Sequence, residues 1–360
     1  MYRYIRQTQL KGFGVEKQLL LKKASVLVIG AGGLGVPVLQ YLCGMGIGTL
    51  GIVENDTVSL TNLQRQVIYT EKEAINKSAK LKVALKKLKA LNSEISFKTY
   101  HTFLNHINAL SILSGFDIIV DCSDNFETRY LINDACVILK KPFVYGALHA
   151  FEGHLSVFNY KSGPTYRCLF PNIPTAEEIP DCNTNGVLGV IPGIIGNFQA
   201  LEVVKLITEI GTSLSGKLMI YDGLEQQIRK INIPVNLENF KIQKLTKSSN
   251  YLICSATNKV IDTKELKSLM GSVPSLQLVD VRNTDEYKNY AIPGSIHIPL
   301  DQITARFQEI NSNQSVYLIC ESGVRSAKAL KILSNLNPEL EIFEVDGGIR
   351  KFKEEQIMYL

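Results

Sequence analysis

Apolar and polar positions along this chain change period several times, and each change predicts an element. Apolar runs at 25–29 (SVLVI) and 49–54 (TLGIVE) flank a stretch from about 34 to 43 with apolar residues at helical spacing, predicting a βαβ unit. In NKSAKLKVALKKLKALN (76–92), Leu81, Leu85, Leu88 and Leu91 share one face and lysines fill the rest, predicting an amphipathic helix with a solvated basic face. Strands are expected near 95–100, 117–121 (DIIVD), 143–146 and 153–159, with a helix through TRYLINDACVILK. Residues 170–193 are proline-rich and carry no period, which suits a long functional loop. An apolar helix at 194–210 and strands at 217–222 and 227–233 follow.

Periodicity decays between about 235 and 258 and then returns. From 260 the chain reads helix (TKELKSLM), strand (LQLVDV), turn (AIPGSIHIP), strand (SVYLIC), helix (VRSAKALKILSNL) and strand (EIFEV). The fold class expected is α/β throughout: a nucleotide-binding domain at 1–235, a linker at 236–258 and a smaller domain at 259–360. A length of 360 residues fits two cores better than one.

Composition narrows the function classes. The N-terminal MYRYIRQTQLKGFG lacks the apolar core of a signal peptide, and the most apolar stretch (186–201) is interrupted by Pro192, Asn197 and Gln199. A cytoplasmic chain with no membrane partner is expected. The seven cysteines are odd in number and scattered, which argues for reduced thiols over a disulfide framework. A net charge of +5 is mild, and with no second signal nucleic acid is not expected as a partner.

Gly30, Gly32 and Gly35, within GAGGLG, fit G-x-G-x-x-G after a strand and at the start of a helix. Such glycines bring backbone N–H groups up to phosphates at a helix N-terminus. Glu54, ending the next strand, is placed to bind a ribose. Alone, this leaves a nicotinamide-dependent oxidoreductase and a nucleoside triphosphate enzyme both open. SLTNLQRQ (59–66) and DCSDNFETRY (121–130) add Asn62, Arg65, Asp124, Asn125 and Arg129 at the same strand ends. Cations for phosphates and a carboxylate for Mg²⁺ favour triphosphate chemistry.

Across residues 3–230, RYIRQ, GAGGLG, SLTNLQRQ, SDNFETRYLINDAC, FEGHLSVFNY, YRCLFP, GVLGVIPGIIGNFQALEVVKL and YDGL closely resemble the MoeB/ThiF branch of the ubiquitin-activating enzyme superfamily. The resemblance implies a Rossmann-like domain that uses ATP and Mg²⁺ to adenylate the C-terminal Gly-Gly of a small ubiquitin-like sulfur carrier protein. It implies that Gly30, Gly32, Gly33, Gly35 and Asn125 help bind the nucleotide. Asp124 would hold Mg²⁺, Glu54 the ribose, and Asn62 and Arg65 the phosphates. Arg6 would reach the partner subunit's site, so a homodimer is implied. The catalytic lysine falls on Lys80, with Lys77 as the alternative, because INKSAKLKVA is longer than the family's segment. The family usually closes a structural zinc site with two C-x-x-C pairs. Here Thr165 stands three residues before Cys168 and 231–253 holds no cysteine, so no structural zinc is expected and Cys168 is read as a buried structural thiol. His149 and His154 are read as structural.

At the other end, CESGVRS puts Cys320 at the head of a tight loop with Arg325 closing it. Backbone N–H groups pointing into such a loop, with an added cation, stabilise a thiolate. With LVDVRNTDEYKNYAIPGSIHIPL (278–300) and EVDGGIRKF (344–352), the loop resembles a rhodanese domain over about 260–358. That resemblance implies that Cys320 takes sulfane sulfur from a persulfide donor and passes it on, so that the carrier ends in a thiocarboxylate. Cys182, in IPDCNTNG, matches the family's second reactive cysteine. Molybdopterin synthesis is the pathway favoured; thiamine synthesis, tRNA thiolation and a non-catalytic scaffold for a ubiquitin-like partner are the alternatives.

Overall fold

A computed structural model describes residues 2–172, 186–245, 259–273, 276–337 and 340–357. Cys182 lies outside the described residues. The chain divides into two compact units, Met1–Ser249 and Asn250–Leu360.

In the first unit, α1 (Ile5–Thr8) and α2 (Gly14–Lys23) precede β1 (Ser25–Ile29), α3 (Gly35–Met45) and β2 (Thr49–Val53). Next, α4 (Glu71–Ile75) and α5 (Lys80–Leu91) lead to β3 (Ser96–Tyr100), α6 (Ala109–Ser114) to β4 (Ile118–Asp121), and α7 (Phe126–Leu139) to β5 (Phe143–His149). The unit continues through β6 (Glu152–Phe158), α8 (Tyr166–Leu169), α9 (Val190–Thr208), β7 (Lys217–Asp222) and β8 (Gln227–Asn232). Its strands form one sheet in the order β3-β2-β1-β4-β5-β6-β7-β8. The first five run parallel and β6 to β8 are added antiparallel. Val26, Leu27 and Val28 of β1 and Ile119 and Val120 of β4 are fully buried, as strands covered on both faces must be. The chain order reverses between β1 and β4, which opens a crevice at their carboxyl ends.

Helix α9 starts at Val190, earlier than the expected 194. Pro192 falls in its first turn, where the missing N–H is not needed, so it opens the helix and does not interrupt it. At 19 residues, α9 is also long and apolar enough to cross a membrane, contrary to the expectation from 186–201. Ile191, Ile195, Ala200, Val203 and Val204 are nevertheless buried in the protein's own core. The segment expected as linker begins inside the first unit, because Leu237–Phe240 form a 3-10 turn capped by Asn236.

The second unit runs β9 (Lys259–Ile261), α10 (Thr263–Ser272), β10 (Gln277–Asp280), α11 (Thr284–Asn289), β11 (Ile296–His297), β12 (Val316–Ile319), α12 (Val324–Leu336), β13 (Ile342–Val345) and α13 (Gly348–Ile357). These strands form a separate parallel sheet, β11-β10-β12-β13-β9. Asp262 opens α10 by accepting the N–H groups of Lys264 and Glu265 at 3.0 and 2.8 Å. Val279, Leu318, Ala329 and Leu333 build the core that holds β12 and α12 around the loop at Cys320.

Candidate functional site

A cavity of about 570 Å³ opens at the crevice between β1 and β4. Its floor is the glycine loop. Gly30 has φ +95°, and a Cβ there would stand 2.9 Å from the Cys122 carbonyl. A Cβ on Gly35 would meet the Gly30 carbonyl at 1.9 Å, so only glycine lets α3 start this close to β1. Gly30, Gly32 and Gly33 line the cavity, and Gly35 supports it from behind.

Glu54 is buried at the end of β2. One carboxylate oxygen accepts the Ala31 N–H at 2.8 Å, and the other accepts those of Asn55 and Asp56, also at 2.8 Å. The side chain therefore ties the glycine loop to the next strand end while lining the cavity. Lys80 opens α5 with its side chain only 7% exposed and its Nζ 3.0 Å from Asp56 Oδ2. Lys77 is exposed in a left-handed turn (φ +45°) and does not line the cavity. Arg65 crosses the glycine loop, its Nη1 donating to the Thr61 carbonyl at 3.2 Å. Asn62 lines no part of the cavity; its carbonyl accepts the N–H groups of Arg65 and Gln66 and shapes the turn that presents them.

At the end of β4, Asn125 caps α7 by accepting the Thr128 N–H at 2.9 Å, and its amide donates to Asp124 Oδ1 at 3.3 Å. Asp124 is exposed to the cavity. Beneath it Arg129 is buried, with Phe126 and Tyr145 rings 5.3 and 5.7 Å from its guanidinium carbon. Burial pushes the neighbouring Asp121 carboxyl up, against the opposing charge of Arg129. His149 and His154, expected as structural residues, also line the cavity. Burial holds the His154 imidazole below its ordinary range. Neither histidine has a local signal, since it is the pairing of β5 with β6 that places them at one end of the sheet. Arg6 is exposed on α1 and takes no part in its own chain's cavity.

Cys168 is half exposed, where a buried thiol was expected. Its sulfur accepts from Thr165 N at 3.4 Å, Asn236 N at 3.3 Å and Asn239 Nδ2 at 3.4 Å, shares a hydrogen bond with Thr165 Oγ1 at 3.4 Å, and as a thiol donates to the Asn236 carbonyl at 3.8 Å. Burial pushes this thiol up, but the hydrogen bonds outweigh it and hold it below the usual thiol range. Threonine and asparagine hydrogen-bond donors surround the sulfur where tetrahedral zinc needs thiolates, so these residues do not fit the family's metal.

In the second unit, β12 delivers Cys320 to a loop whose Gly323 (φ +94°) opens α12. Cys320 is buried, and its Sγ accepts the Gly323 N–H at 3.1 Å. Arg325, expected to close the loop and add charge to it, interacts electrostatically with Cys320 and is itself paired. Glu286 takes its guanidinium in a two-point pair of 2.5 and 2.7 Å, which lowers the Glu286 carboxyl to about 2. Arg282 is likewise held, by Asp280 at 2.8 Å and Glu321 at 3.2 Å. Glu286 escaped sequence reasoning because it lies 39 residues from Arg325.

Comparison with known proteins agrees with both halves. A model described as the ThiF family matches residues 4–241, and one described as a rhodanese-like domain matches 262–355. The chain is 41% identical to "Adenylyltransferase and sulfurtransferase MOCS3" of Aedes aegypti, covering 94% of this chain and 82% of that protein. The protein of the same name from Xenopus laevis is 39% identical, over 98% of this chain and 86% of its own length. Among solved structures, E. coli MccB with AMPCPP and MccA is similar at a TM-score of 0.57 and 25% identity, over 65% of this chain and 72% of that one.

Proposed function

This chain belongs to the ThiF family and carries a rhodanese-like domain behind it, and from that premise we propose that it activates a ubiquitin-like sulfur carrier and then sulfurates it. The first unit is an adenylyltransferase: it joins AMP from ATP to the C-terminal glycine carboxylate of a carrier ending in Gly-Gly, releasing pyrophosphate. The second is a sulfurtransferase that brings sulfur for a C-terminal thiocarboxylate. The MOCS3 name of the relatives favours a carrier for molybdenum cofactor synthesis over thiamine synthesis or tRNA thiolation.

A glycine carboxylate is already ionised at neutral pH, so the first step needs no general base. The barrier is repulsion between two anions, together with charge building on pyrophosphate. Arg65 and Lys80 supply cations at the cavity, and Lys80 does so from the N-terminus of a helix. Asp124 is an exposed oxygen ligand oriented by Asn125. A single carboxylate sharing Mg²⁺ with nucleotide phosphates suits that ion, which would neutralise charge on the leaving group. Glu54 sits where a ribose hydroxyl can meet it, and Asn62 acts through the turn that positions Arg65. Arg6, outside its own cavity, serves the partner's cavity in a homodimer. The scattered cysteines suit a cytoplasmic setting.

In the second step the Cys320 thiolate attacks the outer sulfur of a persulfide donor. The donor's S–S bond breaks, its thiol leaves, and Cys320 becomes a persulfide. The terminal persulfide sulfur displaces AMP from the carrier's carbonyl, giving an acyl disulfide. A thiol then attacks the Cys320 sulfur of that disulfide, expelling the thiocarboxylate and forming a new disulfide with Cys320 that an added thiol reductant reopens, and Cys182 is this chain's candidate for the attacking thiol.

The observation that carries this reading is the presence of both reactive sets on one chain: Arg65, Lys80 and Asp124 on one crevice, and Cys320 under the Gly323 N–H. Carrier-dependent exchange of labelled pyrophosphate into ATP tests the first half. Exchange with a Gly-Gly carrier is expected; its absence with every such carrier would sink the reading.

A further inference from the structure

Ser326 is fully buried directly behind Cys320, and its hydroxyl has more acceptors than it has protons. Its Oγ lies 2.8 Å from the Gly323 carbonyl, 3.2 Å from Glu344 Oε1 and 3.5 Å from Cys320 Sγ. One hydroxyl proton can serve only one of these three well. When the sulfur carries its proton, S–H donates to Ser326 and the hydroxyl turns toward the carbonyl or the carboxylate. When the sulfur is an anion, the favourable arrangement turns the hydroxyl toward it.

The surrounding charges make that choice matter. Arg325 is engaged by Glu286, and Arg282 by Asp280 and Glu321, so these two guanidinium groups near the loop are matched by carboxylates. Glu344, on β13, brings a carboxylate oxygen to 3.2 Å from the Ser326 hydroxyl. Stabilising the sulfur anion therefore falls to short-range donors, of which the Gly323 N–H is fixed at 3.1 Å. A hydrogen bond to a charged group is worth more than one between neutral groups, so a donor that can turn is well used there.

Resting on the sulfurtransferase reading above, we propose that Ser326 is a further catalytic residue, a switchable hydrogen-bond donor to the Cys320 sulfur, and that Glu344 is a positioning residue that competes for its proton. The two side chains then act in opposite senses. Ser326 favours the thiolate; Glu344 holds the thiol back from ionising until the hydroxyl turns away from the carboxylate.

The test is iodoacetamide alkylation of full-length protein across a pH series, with Cys320 followed by peptide mass spectrometry so that other thiols do not enter. Ser326→Ala is expected to raise the alkylation midpoint by about one pH unit and slow the reaction about tenfold at neutral pH. Glu344→Gln is expected to move the midpoint the other way and speed alkylation about threefold. Ser326→Thr, which keeps the hydroxyl, is expected to retain the wild-type profile. A wild-type profile in Ser326→Ala, or slower alkylation in Glu344→Gln, would overturn the proposal. If Ser326→Ala does not fold, Glu344→Gln is compared with Glu344→Ala, which also removes the competing oxygen: the midpoint should fall further in Glu344→Ala, and equal shifts in the two would overturn the competition for the proton. Sulfur transfer by Cys320→Ala is measured alongside. Retained transfer would remove the sulfurtransferase reading itself, whereas lost transfer with unchanged profiles would remove only the roles of Ser326 and Glu344.

Discussion

Replacing Cys168 with alanine tests whether hydrogen bonds do at this site what zinc does elsewhere in the family. The sulfur has four hydrogen-bonding N–H and O–H groups around it, the N–H and hydroxyl of Thr165, the Asn236 N–H and the Asn239 amide. Asn236 is exposed and Asn239 half-buried, so water can replace the sulfur for them. Thr165 is fully buried, and its N–H and hydroxyl would each lose a partner that water does not readily supply. At about 1 kcal/mol for each buried donor left unpaired, Cys168→Ala should cost about 2 kcal/mol. For a unit of this size that lowers Tm by about 4 to 8 °C. Differential scanning calorimetry of the full chain, with its two units followed as separate transitions, is the assay. The first unit's transition should move and the second should stay. A strong zinc chelator should move neither in wild-type protein, and metal analysis should find no stoichiometric zinc. An unchanged transition in Cys168→Ala would refute the hydrogen-bond account; a transition lowered by chelator would refute the absence of metal.

Asp124→Ala should cut carrier-dependent pyrophosphate exchange by about 100-fold or more while thiosulfate sulfurtransfer in the same protein persists; equal loss of both would point to unfolding. Lys80→Ala should likewise slow exchange about 100-fold, whereas Lys77→Ala, on an exposed turn, should stay within about twofold. The Arg325 guanidinium holds the Glu286 carboxyl down from 4.5 to about 2. A carboxyl depressed in the folded state stabilises above its ordinary value, and that contribution fades as pH falls from 4.5 toward 2. Both side chains are partly exposed, so the second unit should lose only about 1 kcal/mol in that window, and Glu286→Gln should flatten the loss in acid unfolding curves.

What could be read from the sequence was what is local. Gly30, Glu54, Asp124, Asn125 and Cys320 each stand at the end of a short apolar run, so strand period and turn chemistry locate them together. Helix α2 was not legible, because Leu19 and Leu20 are exposed and only Leu21 of that run is buried, which erases the helical period. Pro192 disguised the start of α9 for the same reason that it is tolerated there. The pairings that define the chemistry are long-range. Cys168 meets Asn236 across 68 residues and Arg325 meets Glu286 across 39, and no local pattern encodes either. His154 carries no motif and lines the cavity because antiparallel pairing sets it beside Ala147 of β5, a register that no local pattern encodes.

The central claim is that activation and sulfuration are separate chemistries divided between the two units. Intact-mass analysis of a Gly-Gly sulfur carrier, incubated with ATP, Mg²⁺ and a persulfide donor, tests it most directly. Wild-type protein should convert the carrier to a species with one sulfur in place of oxygen. Cys320→Ala should stop at the carrier adenylate, with the sulfur-for-oxygen exchange restored in part by inorganic sulfide, which can attack the adenylate without Cys320. Thiocarboxylate formed by Cys320→Ala at the wild-type rate without added sulfide would contradict the account.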